Sequence, residues 1–344
     1  MRRQPGEHAL RPSTNDRRDF LRSIVPVLAV ASGGRSVVLA AQKEGNAAPP
    51  DPALDESELK AAREKLVQAG VGPLSTLRSA HYQAIGDAPE GFMRLTLGDC
   101  EQLALDYFKH FRDRGFELHQ PDRRLTVVIF RDNRSFGKYF PVPATGKAVP
   151  RGATVQRVGN YSRMTNMLYV FDWRMVPMEP RSSHRNSETL AHEGVHQLTY
   201  NTGLLNREGD APLCIVEGLG MYGESRQVQG PSDLGRINLR RLEDLARTQR
   251  MISWIPVRDL LGDDTILQAG QALRVLLAYA QSWLLVHFLM KEPEHLPRFR
   301  DYIKVVQSRT KADHRLDDAQ AQFGDLDALD RDLRRYAIRL HRSI

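Results

Sequence analysis

The chain has 344 residues, 41% of them hydrophobic and 26% charged, the proportions of a globular protein with ample apolar material for a large core. Its formal charge of +7 is concentrated at the start: residues 1–41 hold seven arginines against Glu7, Asp16 and Asp19, and the remainder sets 42 basic residues against 39 acidic ones, a balance of +3. Those basic residues alternate with acids, as in Arg331-Asp332-Leu333-Arg334, and no basic block carries aromatics, which excludes general disorder, a membrane bundle and a nucleic-acid-binding surface.

The N-terminus reads as an address. Arg17-Arg18 ahead of Phe20-Leu21 precede an apolar run at 24–31, small residues, and a second apolar patch at 37–41, the layout of an export signal. The arginine pair resembles the twin-arginine signal, which implies export of a folded protein across a bacterial inner membrane into the periplasm. Cleavage fits after Ala31 or near Ala40-Ala41. The apolar run is far shorter than the ~20 residues of a spanning helix, and Arg35 interrupts any extension, so no stable membrane anchor is expected. Residues 42–56, rich in Ala, Pro, Asp and Glu, read as a flexible linker, leaving 57–344 as one domain.

Within that domain Ser57 is placed to cap a helix ending at Gly70. A stronger helix follows Thr96, where Cys100, Leu103, Ala104, Tyr107, Phe108 and Phe111 recur at helical spacing. Residues 125–130 and 167–173 form β-branched and aromatic runs that predict strands. Between them Gly137, Pro141, Pro143, Gly146, Pro150 and Gly152 mark a long irregular connection. From Ser187 onward the pattern is nearly all helical. It includes a long apolar helix over about 271–290 and a final amphipathic one carrying Leu326, Leu329, Leu333, Tyr336 and Leu340. The order predicts an α+β fold, a small mixed α/β part followed by a mostly helical part, with the chemistry in a cleft between them. Cys100 and Cys214 form neither a disulfide framework nor a metal clip; one disulfide and two buried thiols both fit.

Residues 187–203 carry the chemistry. Leu190, Ala191, Val195 and Leu198 fall on one side of a helix, while His192 and His196, one turn apart, project together from the other. Two imidazoles so spaced can grip one metal ion, and Glu193, a step round the helix, can reach a water beside it. A third ligand is needed. Glu217 lies amid apolar neighbours with no cation nearby in sequence, a costly position for a carboxylate unless a positive ion compensates it. Gly218 and Gly220 would let its helix pass close to the histidine helix, and Glu224, two turns on, could hold a ligand imidazole. Cys214 is the local candidate for a fourth ligand, should the site be structural.

His192-Glu193-Gly194-Val195-His196 followed by Glu217-Gly218-Leu219-Gly220-Met221-Tyr222-Gly223-Glu224 resembles the gluzincins, zinc metallopeptidases whose third ligand is a Glu on a second helix. The second segment is similar to the Glu-Gly-x-Ala-x-Tyr-x-Glu stretch of zinc aminopeptidases, with Gly220 in place of the usual Ala. The flanks, including Tyr279-Ala280-Gln281-Ser282-Trp283, look like a set of bacterial gluzincin-like domains. The resemblance implies a zincin-like fold, one Zn2+ held by His192, His196 and Glu217, and Glu193 as the base that activates water. It implies Tyr279 as the oxyanion stabiliser, with Tyr222 and His184 as lesser candidates, and residues 167–173 as an edge strand along which an extended peptide or protein substrate lies. A catalytically silent zincin-fold protein that binds or scaffolds in the cell envelope is the competing expectation. Intact Glu193 favours the enzyme, because a silent site has no need of an unliganded carboxylate beside the metal.

Overall fold

The computed structural model describes residues 52–140, 159–175, 182–225, 234–268 and 271–343. The export-signal stretch and the first residues of the linker lie outside these. Residues 52–56, read above as linker, are instead the first turn and a half of helix α1 (Pro52–Gln68), so Ser57 sits inside a helix rather than capping one. What orders this stretch is an ion pair distant in sequence: Asp55 is fully buried, pairs with Arg124 Nη1 at 2.7 Å and accepts the Arg124 backbone N–H at 3.0 Å.

Five strands among the described residues, β1 (Ser75–Arg78), β2 (Tyr82–Gly86), β3 (Leu125–Phe130), β4 (Gly159–Ser162) and β5 (Met167–Phe171), form one sheet in the order β1-β2-β3-β5-β4. The central three run parallel, and β1 and β4 lie antiparallel at the two edges. Strand β3 is buried on both sides, apolar apart from Thr126, whose hydroxyl is met by Gln83 and Glu58. Leu125, Val127 and Ile129 enter a large core, while Val128 and Phe130 enter a smaller one. Helix α1 and the short α3 (Asn133–Tyr139) cover the smaller-core face; α2 (Glu90–Arg112) and α4 (Ser182–Asn201) cover the other. Helix α2 begins six residues before the expected Thr96, whose hydroxyl turns back onto the Phe92 carbonyl at 2.9 Å and so serves the helix from within.

The strand expected to form the edge, residues 167–173, is interior. It ends as β5 at Phe171, Trp173 opens a 3-10 turn, and the edge on that side belongs to β4. With the sequence Gly-Asn-Tyr-Ser, β4 has no β-branched run to announce it; its pairing with β5 makes it a strand.

Beyond α4 the described chain is helical: α5 (Leu213–Glu224), α6 (Leu239–Gln249), α7 (Val257–Gly262), α8 (Thr265–Gln268), α9 (Ala272–Lys291), α10 (Leu296–Gln307), α11 (Arg315–Phe323) and α12 (Leu326–Arg342). Helix α9 is apolar and long enough to cross a membrane, yet α5, α6, α8, α10 and α12 pack around it, as around the core helix of a globular unit. The α+β arrangement expected from the sequence is therefore present, with α4 and α5 packed together where the sheet half meets the helical half.

Candidate metal centre

Helix α4 buries Leu190, Ala191, Val195 and Leu198 and closes at Gly203 in a left-handed conformation (φ +78°). Its opposite face presents His192 and His196. Glu217, in the middle of α5, meets them from the neighbouring helix. His192 Nε2 and His196 Nε2 are 3.1 Å apart, and Glu217 reaches them at 3.3 and 3.9 Å, so the ligand atoms all lie within 4.8 Å of one another. A tetrahedral ion with bonds near 2.0–2.1 Å separates its ligands by about 3.3 Å, so the three donors already stand close to metal-binding spacing. The group can hold a metal ion, and two imidazoles with one carboxylate suit a borderline cation. The cluster is reachable from outside: the His192 and Glu217 side chains are 15% and 18% exposed.

Without a cation the cluster is electrically unbalanced. Burial acts against a charged His192, but hydrogen bonds to Glu217 and Glu224 outweigh it and push its pKa up to about 10. Burial and the adjacent charged His192 push His196 the other way, to about 4. Burial raises Glu217, and contact with His192 and the nearby His196 overcome this and hold its carboxyl below the usual range. His192 Nε2 thus lies between His196 Nε2 and Glu217, at 3.1 and 3.3 Å, and metal binding at such a group competes with protons for the same nitrogen.

Glu193 stands beside this group and is not one of its three ligands. Burial raises its pKa, His192 opposes the shift, and the charge of Glu217 adds to it. One carboxylate oxygen accepts the backbone N–H of Tyr161, on edge strand β4, at 2.7 Å. That contact was invisible in the sequence, because it belongs to a peptide group rather than to a side chain.

Among the tyrosines, Tyr279 on α9 is half-buried; burial, with Glu217 and Glu193 adding to it, pushes its hydroxyl pKa above the usual value. Tyr222 is committed elsewhere: its hydroxyl is 3.0 Å from His110 Nε2 in the core, which removes it as an oxyanion candidate. The His184 side chain lies outside the described residues. Cys214 is wholly buried in the first turn of α5 and outside the ligand group, so it supplies no fourth ligand; Cys100 and Cys214 are both buried and not joined in a disulfide.

Glu224, at the end of α5, accepts His192 Nδ1 at 2.9 Å and is met from the far side by Arg241 and Asn238 at the start of α6. The first of these contacts was expected. Arg241 and Asn238 were not: Arg241 in sequence is indistinguishable from its neighbour Arg240, and the one legible signal was that Asn238 could cap a helix, as it does by accepting the Arg241 backbone N–H. The expected approach of α5 to α4 is made by Gly220, where a Cβ would lie 2.9 Å from His196 Nε2 and 3.0 Å from His192 Cε1; Gly218 instead faces α9, where a Cβ would lie 2.5 Å from the Ser282 carbonyl oxygen.

Residues 186–312 match the family described as Protein of unknown function (DUF1570). The matched stretch contains His192, Glu193, His196, Glu217, Glu224, Arg241 and Tyr279, and stops short of strand β4 on its N-terminal side. No curated protein matches the chain.

Proposed function

We propose that this protein is a zinc-dependent hydrolase of peptide bonds, built on a zincin-like fold of the gluzincin kind. The observation that carries the reading is the convergence of His192, His196 and Glu217 with an unliganded carboxylate, Glu193, beside them. Two imidazoles and one carboxylate are three protein ligands, the number that leaves a catalytic zinc one open position. When bound, zinc lowers the pKa of a water molecule and polarises a carbonyl.

The residues do the rest. Glu193, whose carboxyl burial raises above its ordinary value, is suited to take a proton from water and pass it to the departing amine. The Tyr161 N–H fixes which way its carboxylate points. Tyr279, half-buried on α9, is the group we assign to the oxyanion, as the likeness of its segment to the gluzincin-like domains implies. Strand β4 replaces residues 167–173 as the rail for an extended substrate: it is an edge, it is antiparallel to its neighbour, and the N–H of Tyr161 points outward to the catalytic base. The start of the chain extends this reading to a periplasmic enzyme exported by a twin-arginine route, as Arg17-Arg18 and the apolar runs after them support.

The test is a degenerate peptide library with the zinc-loaded full chain. Wild type cleaves it, and Glu193→Gln keeps about one zinc per chain while losing on the order of 10³-fold in rate, within the range for loss of a general base. Zinc-loaded wild type that leaves the library intact, or cleavage that survives in Glu193→Gln, overturns the assignment.

A further inference from the structure

The two imidazoles are held very differently. His196 Nδ1 is buried and has no hydrogen-bond partner among the described residues. His192 Nδ1, in contrast, lies 2.9 Å from Glu224 Oε1, and that carboxylate is saturated. Its Oε1 also accepts Arg241 Nη2 at 2.5 Å, and its Oε2 accepts Arg241 Nε at 2.9 Å and Asn238 Nδ2 at 2.8 Å. Each oxygen carries two donors, which is the full capacity of a carboxylate. Three of the four come from the first turn of α6 and the residue that caps it, and only the fourth comes from the metal cluster.

We propose that Arg241 is a positioning residue for the bound metal: its guanidinium fork locks the Glu224 carboxylate, and Glu224 in turn orients the His192 ring so that Nε2 faces His196 and Glu217. The fork is what makes the lock directional. A guanidinium binding both oxygens fixes the carboxylate plane, whereas an ammonium supplies charge without that constraint. Both side chains are close to fully covered, Arg241 12% and Glu224 9% exposed, so water cannot substitute for a lost donor without rearrangement. Asn238 ties the same carboxylate to the helix start: while its amide donates to Glu224, its Oδ1 caps α6 at the Arg241 backbone N–H, 3.2 Å away. The placement of α6 against α5 is thereby coupled to the geometry of one metal ligand, although no atom of α6 belongs to the ligand group.

The inference rests on the metal-binding part of the proposed function and not on its hydrolytic part. Zinc affinity is measured by competition with a chromophoric chelator on the full chain, with the thermal midpoint of each metal-free protein recorded alongside. Wild type binds about one zinc. Arg241→Met and Arg241→Lys each weaken zinc by about tenfold, Glu224→Gln weakens it within the 10–100-fold range of outer-sphere partners, and Arg241→Met combined with Glu224→Gln is no weaker than Glu224→Gln alone. The cobalt-substituted Arg241 variants show an altered ligand-field spectrum, which a remote structural role would leave unchanged.

Arg241 variants with wild-type or tighter zinc affinity overturn the proposal, even where their thermal midpoint falls. Full affinity in Arg241→Lys overturns it in favour of charge alone, and additive losses in the double variant overturn the route through Glu224. Wild type that binds zinc but cleaves no peptide removes the enzymatic reading and leaves this one standing; wild type that binds no zinc removes both.

Discussion

Two clusters of charged side chains flank α5, and they are built on opposite terms. At its first turn, Arg315 of α11 donates to both oxygens of Asp210 at 2.7 and 2.6 Å and to both oxygens of Asp264 at 2.8 and 2.9 Å. Asp264 also takes the Leu213 backbone N–H at 2.8 Å, satisfying one of the free donors that open the helix. The fork is filled and the cluster invites nothing more. At mid-helix, His192, His196, Glu193 and Glu217 crowd together with opposed protonation tendencies, an imidazole nitrogen without a partner among the described residues, and ligand atoms converging on a common point. The first cluster closes its hydrogen bonds within the protein; the second leaves Nδ1 of His196 without a partner among the described residues. The Arg241–Glu224 lock is of the first type, placed in the service of the second.

The largest expected effect breaks the closed cluster. Arg315→Met leaves Asp210 and Asp264 facing each other without their cation and should lower stability by about 3 kcal/mol, read as a fall in the urea midpoint. The zinc affinity of the protein that remains folded should stay near wild type. A destabilisation under 1 kcal/mol would show that the fork contributes no more than an exposed ion pair.

A second contrast concerns buried histidines outside the group of three. His110 and His287 lie in the core, His110 against Tyr222 and His287 Nδ1 2.7 Å from the Tyr336 hydroxyl. Burial, reinforced by Arg114 and Lys291 around His110 and by Lys291 near His287, pushes each pKa down to about 3. Both rings are therefore neutral in the folded chain and take a proton only on unfolding once the pH drops below about 6.5. Their contribution is unchanged above that value, and stability is lost as pH falls through it, at up to about 1.4 kcal/mol per histidine per pH unit. In His287→Gln, the loss between pH 7 and pH 5.5 should be smaller than in wild type by about 1 kcal/mol. Parallel pH profiles for the two proteins would mean that His287 already carries a proton in the fold.

The smallest effect sharpens the site itself. Gly220→Ala puts a methyl group against both ligand imidazoles, 2.9 Å from His196 Nε2. The rings must give way by a few tenths of an ångström, which should weaken zinc about threefold, roughly 0.7 kcal/mol, in chelator competition. An unchanged affinity would show that the rings move freely on α5.

The legible parts of the molecule were those in which neighbours in sequence are also neighbours in space. A helical turn brings positions 192 and 196 together whatever surrounds it, so the imidazole pair was readable, and the unpaired Glu217 in an apolar segment announced a need for a cation. Strand β3, buried on both faces, and helix α9, buried from Leu277 to Met290 except at Tyr279, were readable from their dense runs of apolar residues. The start of α1 was not, because an acidic, proline-bearing stretch folds here only through Arg124, far along the chain. Nor was the edge strand beside Glu193: β4 has no strand-forming composition, and β5, which has it, lies inside the sheet.

The sequence by itself determined the two imidazoles and the carboxylate that come together, the second carboxylate next to them in the chain, and the two helices that carry them, since these follow from local periodicity and from the cost of an unpaired buried charge. Tertiary structure alone decided the strand that faces Glu193, the peptide N–H that its carboxylate accepts, and the arginine and asparagine that hold Glu224. The physical reason is one of range: periodicity acts over a few residues along the chain, whereas a hydrogen bond depends only on distance in space, and the partners of Glu193 and Glu224 come from elements that the pattern around each carboxylate does not specify.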